Sequence, residues 1–196
     1  SERIILDPTR RSSAVRSAAR RESAKLGGRL VEDDALVASV ANLVESPVVM
    51  AGRFDERFLS LPREVIVTAL KSHQRYFSVE NESGALLPRF IAFADGARRN
   101  RREILHGYER VLHARLADAA FYFREDTARS LEEMAGELDR VVWLEGLGSL
   151  AMKSGRIAGL AESIQAAWRD DPELARVVAC AAFLAKAEIA SEMVRD

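Results

Sequence analysis

The chain has 196 residues, 48% of them hydrophobic and 30% charged, a balance that suits a packed globular core and excludes wholesale disorder. Its 29 basic and 30 acidic side chains leave a net charge of -1, so attachment to nucleic acid by overall charge alone is not expected. One cysteine, Cys180, excludes a disulfide framework and a multi-cysteine zinc site. Histidines scattered at 73, 106 and 113 give no closed metal site, and no apolar run approaches the roughly 20 residues that span a bilayer, so no membrane partner is expected. Ser1-Glu2-Arg3 is not a signal peptide and reads as the start of a piece of a longer cytoplasmic chain.

Ile4-Ile5-Leu6 predicts a short strand, stopped by Asp7-Pro8, which opens a helix over 9–26 that ends at Gly27-Gly28. A second helix is expected over 33–45. Leu36, Val37, Val40, Leu43 and Val44 share one face of it, and Glu32-Asp33-Asp34 sits at its positive end. After Pro47 the run 48–52 predicts a buried strand, 55–59 a helical turn, and Pro62 the start of a helix with Val65, Ile66, Ala69 and Leu70 inward. Strands are expected at 75–79 and 90–93 around a hairpin-like loop at 81–84, with Pro88 limiting the start of the second. Beyond residue 101 no strand is convincing, and helices are expected over 101–126, 130–142, 148–169 and 172–195. The fold class is therefore α+β: a mixed α/β region, 1–100, followed by an all-α region, 101–196.

Charge is unevenly spread. Residues 1–117 hold 20 basic and 15 acidic side chains, residues 118–196 hold 9 and 15. Twenty-five of the basic residues are arginine, a bias that a GC-rich genome produces by itself. Two runs stand out: Arg10, Arg11, Arg16, Arg20, Arg21, Lys25 and Arg29, and Arg98, Arg99, Arg101, Arg102, Arg110 and Arg115. Either can neutralise backbone phosphates or form a solvated helix face.

The motifs of independent catalysis are missing. No GxxxxGK[ST] loop, GxGxxG turn, GxSxG elbow or HExxH occurs. Cys180 lies in an apolar run without a nearby histidine and is expected to be a buried structural thiol. Asp33-Asp34 and Glu132-Glu133 occupy helix starts, where the helix dipole explains them. No catalytic residue and no metal ligand is assigned.

The densest unusual stretch is Lys71-Ser72-His73-Gln74-Arg75-Tyr76-Phe77. Two aromatics, a histidine, an amide and two cations can stack on bases while binding phosphate or sugar. The same residues can equally pack Tyr76 and Phe77 in a core, with His73 and Gln74 capping backbone groups.

These residues also belong to an ordered series: Val40-Ala41-Asn42-Leu43-Val44-Glu45-Ser46-Pro47, Gly52-Arg53-Phe54-Asp55, Phe58-Leu59-Ser60-Leu61-Pro62, His73-Gln74-Arg75-Tyr76-Phe77, Leu87-Pro88-Arg89-Phe90, Gly107-Tyr108-Glu109-Arg110-Val111-Leu112, Ala114-Arg115-Leu116-Ala117-Asp118-Ala119 and Phe121-Tyr122-Phe123-Arg124-Glu125-Asp126. The series resembles the beta subunit of bacterial glycyl-tRNA synthetase over roughly residues 30–196. The resemblance implies an interior segment of a longer subunit in a heterotetramer whose α subunit holds the glycine-activation site with its ATP and Mg²⁺. No cofactor is then expected in this segment. Its implied partners are tRNA-Gly, the α subunit and the remainder of the beta subunit, with the anticodon-reading domain further toward the C-terminus. Candidate tRNA contacts, chosen by residue chemistry, are His73, Gln74, Arg75, Tyr76, Arg98, Arg99, Arg101, Arg102, Arg110 and Arg115. A purely structural or α-docking role without direct tRNA contact is the alternative.

Lys153-Ser154-Gly155-Arg156-Ile157-Ala158-Gly159-Leu160 and Ala181-Ala182-Phe183-Leu184-Ala185-Lys186-Ala187-Glu188-Ile189 are similar to the first helices of HD-type phosphohydrolases. Ser154 stands where that resemblance requires a histidine, and Lys186-Ala187 or Ala187-Glu188 where it requires His-Asp. The expectation is an HD-like scaffold, truncated, without the metal chemistry.

Overall fold

The computed structural model describes residues 4–96, 99–169 and 171–195, and divides into two compact units, residues 1–120 and 121–196. The expected boundary at 100/101 coincides with the start of one long helix, α4 (Arg101–Thr127), which contributes residues 101–120 to the first unit and 121–127 to the second.

The first unit begins with α1 (Pro8–Lys25). The Asp7 carboxylate accepts from the amides of Thr9 and Arg10 at 2.8 and 3.0 Å, and Pro8 needs no amide partner in the first turn. The helix closes at Gly27, φ 75°, with the Gly28 amide reaching back to the Ser23 carbonyl at 3.1 Å. Ile4–Leu6 is not a strand. The Ile5 amide donates to the Glu45 carbonyl at 2.9 Å, and Arg11 takes up the carbonyls of Ile5 and Leu6. A two-residue strand β1 (Arg29–Leu30) and α2 (Asp34–Leu43), capped by Asp33, follow.

The sheet is completed by β2 (Pro47–Arg53), β3 (Phe77–Glu80) and β4 (Leu86–Asp95), in the order β1-β3-β4-β2 with every pair antiparallel. Between β2 and β3 lie a 3-10 turn, Glu56–Ser60, then α3 (Arg63–Thr68) and one π turn, Ala69–His73. β4 is longer than expected and runs through Pro88. The proline is tolerated because the β3 pairing shifts register between Ser78 and Glu80, leaving a place where no ladder amide is needed.

Period-two alternation sends Phe77, Val79 and Ile91 to one face, where they pack with Val15, Ala19, Val37 and Val40 of α1 and α2. Each buried valine, isoleucine or phenylalanine among them contributes roughly 1.5–3 kcal/mol. The opposite face carries Met50, Gly52 and Phe90. A β-carbon at 52 would overlap the Phe90 ring, so glycine is required there. Tyr76 stacks on Phe90, centroids 4.7 Å apart, and meets Tyr108 of α4 at 5.5 Å.

The second unit is built from the end of α4, α5 (Leu131–Glu137), a 3-10 turn (Leu138–Arg140), α6 (Leu150–Trp168), α7 (Pro172–Leu184), another 3-10 turn (Ala187–Ala190) and α8 (Glu192–Arg195). Ser130 and Glu133 form a reciprocal capping box on α5, and Asp126 accepts from the amides of Glu192 and Met193. Met134, Leu138, Leu150, Ala187 and Ala190 make its core. This helical region also holds a hairpin the sequence did not announce, β5 (Val142–Leu144) with β6 (Gly148–Ser149). Gly146 and Gly148, at φ 80° and 82°, turn the chain at the break between the helices expected over 130–142 and 148–169. Cys180, expected to be buried, is exposed on α7. Ser154 is buried and its hydroxyl has no hydrogen-bond partner. No helix among the described residues is long and apolar enough to cross a membrane.

Candidate nucleic-acid interface

A cleft of about 690 Å³ opens in the first unit between the end of β2, the 3-10 turn after it, the start of β4 and one face of α4. Phe54 and Pro88 supply its apolar floor, and Arg53, Arg89 and Arg110 bring three guanidinium groups to it. Arg53 and Arg89 are directly opposite in the β2–β4 ladder. Like charges in that arrangement repel, so the fold holds them together at an energetic disadvantage. From α4 come His106, Arg110 and His113, spaced i, i+4 and i+7 on a single face.

The walls are fixed by specific contacts. Glu109 accepts from the Arg53 amide at 3.0 Å and ties α4 to the end of β2. Asp55 caps the 3-10 turn through the Arg57 amide at 3.0 Å and lies 3.4 Å from the Arg57 guanidinium. Arg57 covers the Phe58 ring at 4.8 Å and donates to His113 Nε2 at 3.2 Å, while Phe58 meets His113 edge-on at 5.4 Å. Two lining carboxylates, Asp55 and Glu109, are thus committed to backbone amides. Arg53, Arg89 and Arg110 enter no ion pair among the described residues. Arginine lining and carboxylate lining balance in number, so the cleft's attraction for an anion comes from placement rather than net charge. Paired guanidinium groups over an apolar floor suit a phosphodiester whose base lies flat beneath it.

The candidates chosen by residue chemistry are dispersed. Tyr76 is 6% exposed and belongs to the Phe90–Tyr108 stack; burial, with Tyr108 adding to it, pushes its phenol far above the ordinary range. Arg75, at φ 58°, donates to the carbonyls of Lys71 and Ser72 and closes the helix end, and Lys71 is paired with Asp33. His73 is exposed and Gln74 half-buried beside it. For Tyr76 and Phe77 the geometry is that of core packing. Arg98 lies outside the described residues. Arg99, Arg102 and Arg115 are exposed, while Arg101 donates to the Val49 carbonyl at 2.7 Å. Arg110 and Arg115, five positions apart on α4, point about 140° away from each other, and only Arg110 reaches the cleft. Of the earlier basic run, Arg16 and Arg20 pair with Glu32, Arg16 also with Asp34, Lys25 with Glu22 and Arg29 with Glu80.

Residue-type reasoning missed Arg53, Arg89, His106 and His113. A usable signal was present: Gly52-Arg53-Phe54-Asp55, Leu87-Pro88-Arg89-Phe90 and Gly107-Tyr108-Glu109-Arg110 are three of the blocks that carry the family resemblance, and all three converge on the cleft. Among the described residues no three His, Cys, Asp or Glu side chains gather to hold a metal ion.

Comparison with known proteins places the chain in a family. The family model of the glycyl-tRNA synthetase beta subunit matches residues 1–196, and the chain belongs to that family. It is 43% identical over 194 residues to the glycine–tRNA ligase beta subunit of Myxococcus xanthus, covering 98% of this chain and 27% of that one. The corresponding subunits of Solidesulfovibrio magneticus and Magnetococcus marinus are 41% and 38% identical, each over 99% of this chain and 28% and 27% of theirs. The chain spans little more than a quarter of the length of these curated relatives.

Proposed function

We propose that this chain is a tRNA-handling segment of a glycyl-tRNA synthetase beta subunit, in which the first-unit cleft grips the sugar-phosphate backbone of tRNA-Gly. The observation that carries the reading is the cross-strand pair Arg53 and Arg89, joined by Arg110 and left without carboxylate partners at an apolar-floored cleft. Such an arrangement is unfavourable in isolation and becomes favourable when an anion bridges it. Family membership supports tRNA-Gly as the source of that anion.

In this reading the segment orients RNA and performs no bond-making step. Glycine activation with ATP and Mg²⁺ belongs to the α subunit of the cytoplasmic heterotetramer, and the beta segment contributes binding and assembly to ATP-dependent glycylation. Arg102 lies near the cleft face of α4, one turn before His106. Arg115, His73 and Gln74 are available for separate contacts. The Tyr76 stack favours a structural role for the rest of the His73–Phe77 segment.

The test is a titration of the chain with tRNA-Gly and with an unrelated tRNA at two salt concentrations. Salt-dependent binding that prefers tRNA-Gly is the expected result. Absence of binding to either RNA would refute RNA handling by this segment and leave the scaffold role.

A further inference from the structure

Residues 121–196, the second unit, carry 9 basic against 14 acidic side chains, yet three of its cations, Lys153, Arg156 and Lys186, are left without a carboxylate partner among the described residues. Lys153 and Arg156 stand one turn apart on α6, and Lys186 follows the end of α7, the helix packed along α6. None of the three is in an ion pair among the described residues. The Lys153 ammonium lies 2.9 Å from the centroid of the Trp143 ring, which the β5–β6 hairpin sets against the start of α6. Trp143 is 45% exposed. Loss of hydration, with the charges of Lys186 and Arg156, holds the Lys153 ammonium below its ordinary pKa.

Like charges assembled in an acid-rich unit repel, and an anion bound between them removes the repulsion. An exposed indole beside those cations adds a surface on which a base stacks whatever its identity. Phosphate and base held together are the recognition elements of one nucleotide of a single strand. We propose that Trp143, Lys153, Arg156 and Lys186 form a phosphate-binding site for a nucleotide unit of single-stranded RNA. The site shares no residue with the first-unit cleft and stands or falls independently of it.

Trp143 is one of two tryptophans, so Trp168→Phe leaves it as the sole indole reporter in the 196-residue chain. Its emission is titrated with octa-adenylate, AMP and inorganic phosphate. Octa-adenylate should quench it saturably and most tightly, with binding weakened by added salt. Lys186→Gln, which leaves the Lys153–Trp143 contact in place, should weaken the octa-adenylate affinity about tenfold, as expected when one charge-assisted hydrogen bond is removed. Arg156→Gln, at an exposed surface position, gives the same reading without risk to the fold. If inorganic phosphate displaces octa-adenylate, the free anion and the RNA phosphate occupy the same site; competition by AMP but not by phosphate assigns affinity to the stacked nucleotide as well. No saturable change with any of the three probes, or an affinity unaltered by both substitutions, overturns the proposal. RNA bound only in the cleft would be retained on a filter without quenching Trp143, so the two sites fail separately.

Discussion

The opposed arginines of β2 and β4 make a prediction in which stability and binding move in opposite directions. Arg53 is exposed at the last position of β2, its guanidinium unpaired, and its amide bond to Glu109 does not depend on the side chain. Arg53→Thr therefore removes no buried packing and relieves the repulsion from Arg89, its direct cross-strand neighbour. A like-charge pair of this kind is worth roughly half a kcal/mol, so unfolding in urea at low ionic strength should shift by that amount toward greater stability. The gain should vanish near 1 M salt, where the screening length falls to about 3 Å. Threonine's own strand preference is removed by a double-mutant cycle with Arg89→Thr: the gain must be smaller when Arg89 is already absent. The same Arg53→Thr chain should bind tRNA-Gly more weakly, with a salt slope reduced by about one phosphate. A gain of equal size in both backgrounds, with tRNA affinity unchanged, would refute the reasoning.

Tyr76→Ala should lower stability by roughly 3–5 kcal/mol, because the ring is buried in the Phe90–Tyr108 stack, whereas Tyr76→Phe should cost much less; urea denaturation decides, and an unaltered Ala variant would place the ring outside the core. The Asp33 carboxylate lies below its ordinary value of 3.8, since the hydrogen bonds from Lys71, Leu36 and Ala35 outweigh the burial that would raise it. A depressed native pKa gives stability that is present above the unfolded value and lost as pH falls through the native one. Lys71→Met should therefore reduce stability at neutral pH and flatten the loss below about pH 4; an acid limb identical to that of the parent chain contradicts the pairing. Cys180, the single cysteine, is exposed and should react with a thiol reagent to one equivalent in the native chain; reaction only after denaturation would show the thiol buried.

Local signals made much of the secondary structure legible. Asp7-Pro8 and Gly27 bound α1, Asp33 opens α2, and Ser130 with Glu133 opens α5, each through a cap that its own neighbours complete. Elements that depend on distant partners were not legible. Pro88 sits inside a strand only because the β3 register shifts opposite it, and the β5–β6 hairpin spans the break left between the helices expected over 130–142 and 148–169. The same distinction governs the site. The first basic run was conspicuous along the chain, yet Glu32, Asp34, Glu22 and Glu80 absorb Arg16, Arg20, Lys25 and Arg29. Arg53 and Arg89 belong to no run, and of the second run only Arg110 lines the cleft. Strand pairing and one face of α4 bring them together, and neither can be read from spacing within a single segment.

The proposed function turns on the cleft as a grip for RNA backbone. Its most direct test compares the salt dependence of tRNA-Gly binding for the parent chain and for Arg53→Ala/Arg89→Ala/Arg110→Ala, with circular dichroism confirming that both are folded. The triple variant should bind more weakly, with a log–log salt slope shallower by about 0.7–0.9 for each phosphate no longer neutralised. An identical affinity with an identical slope would remove the cleft from RNA recognition.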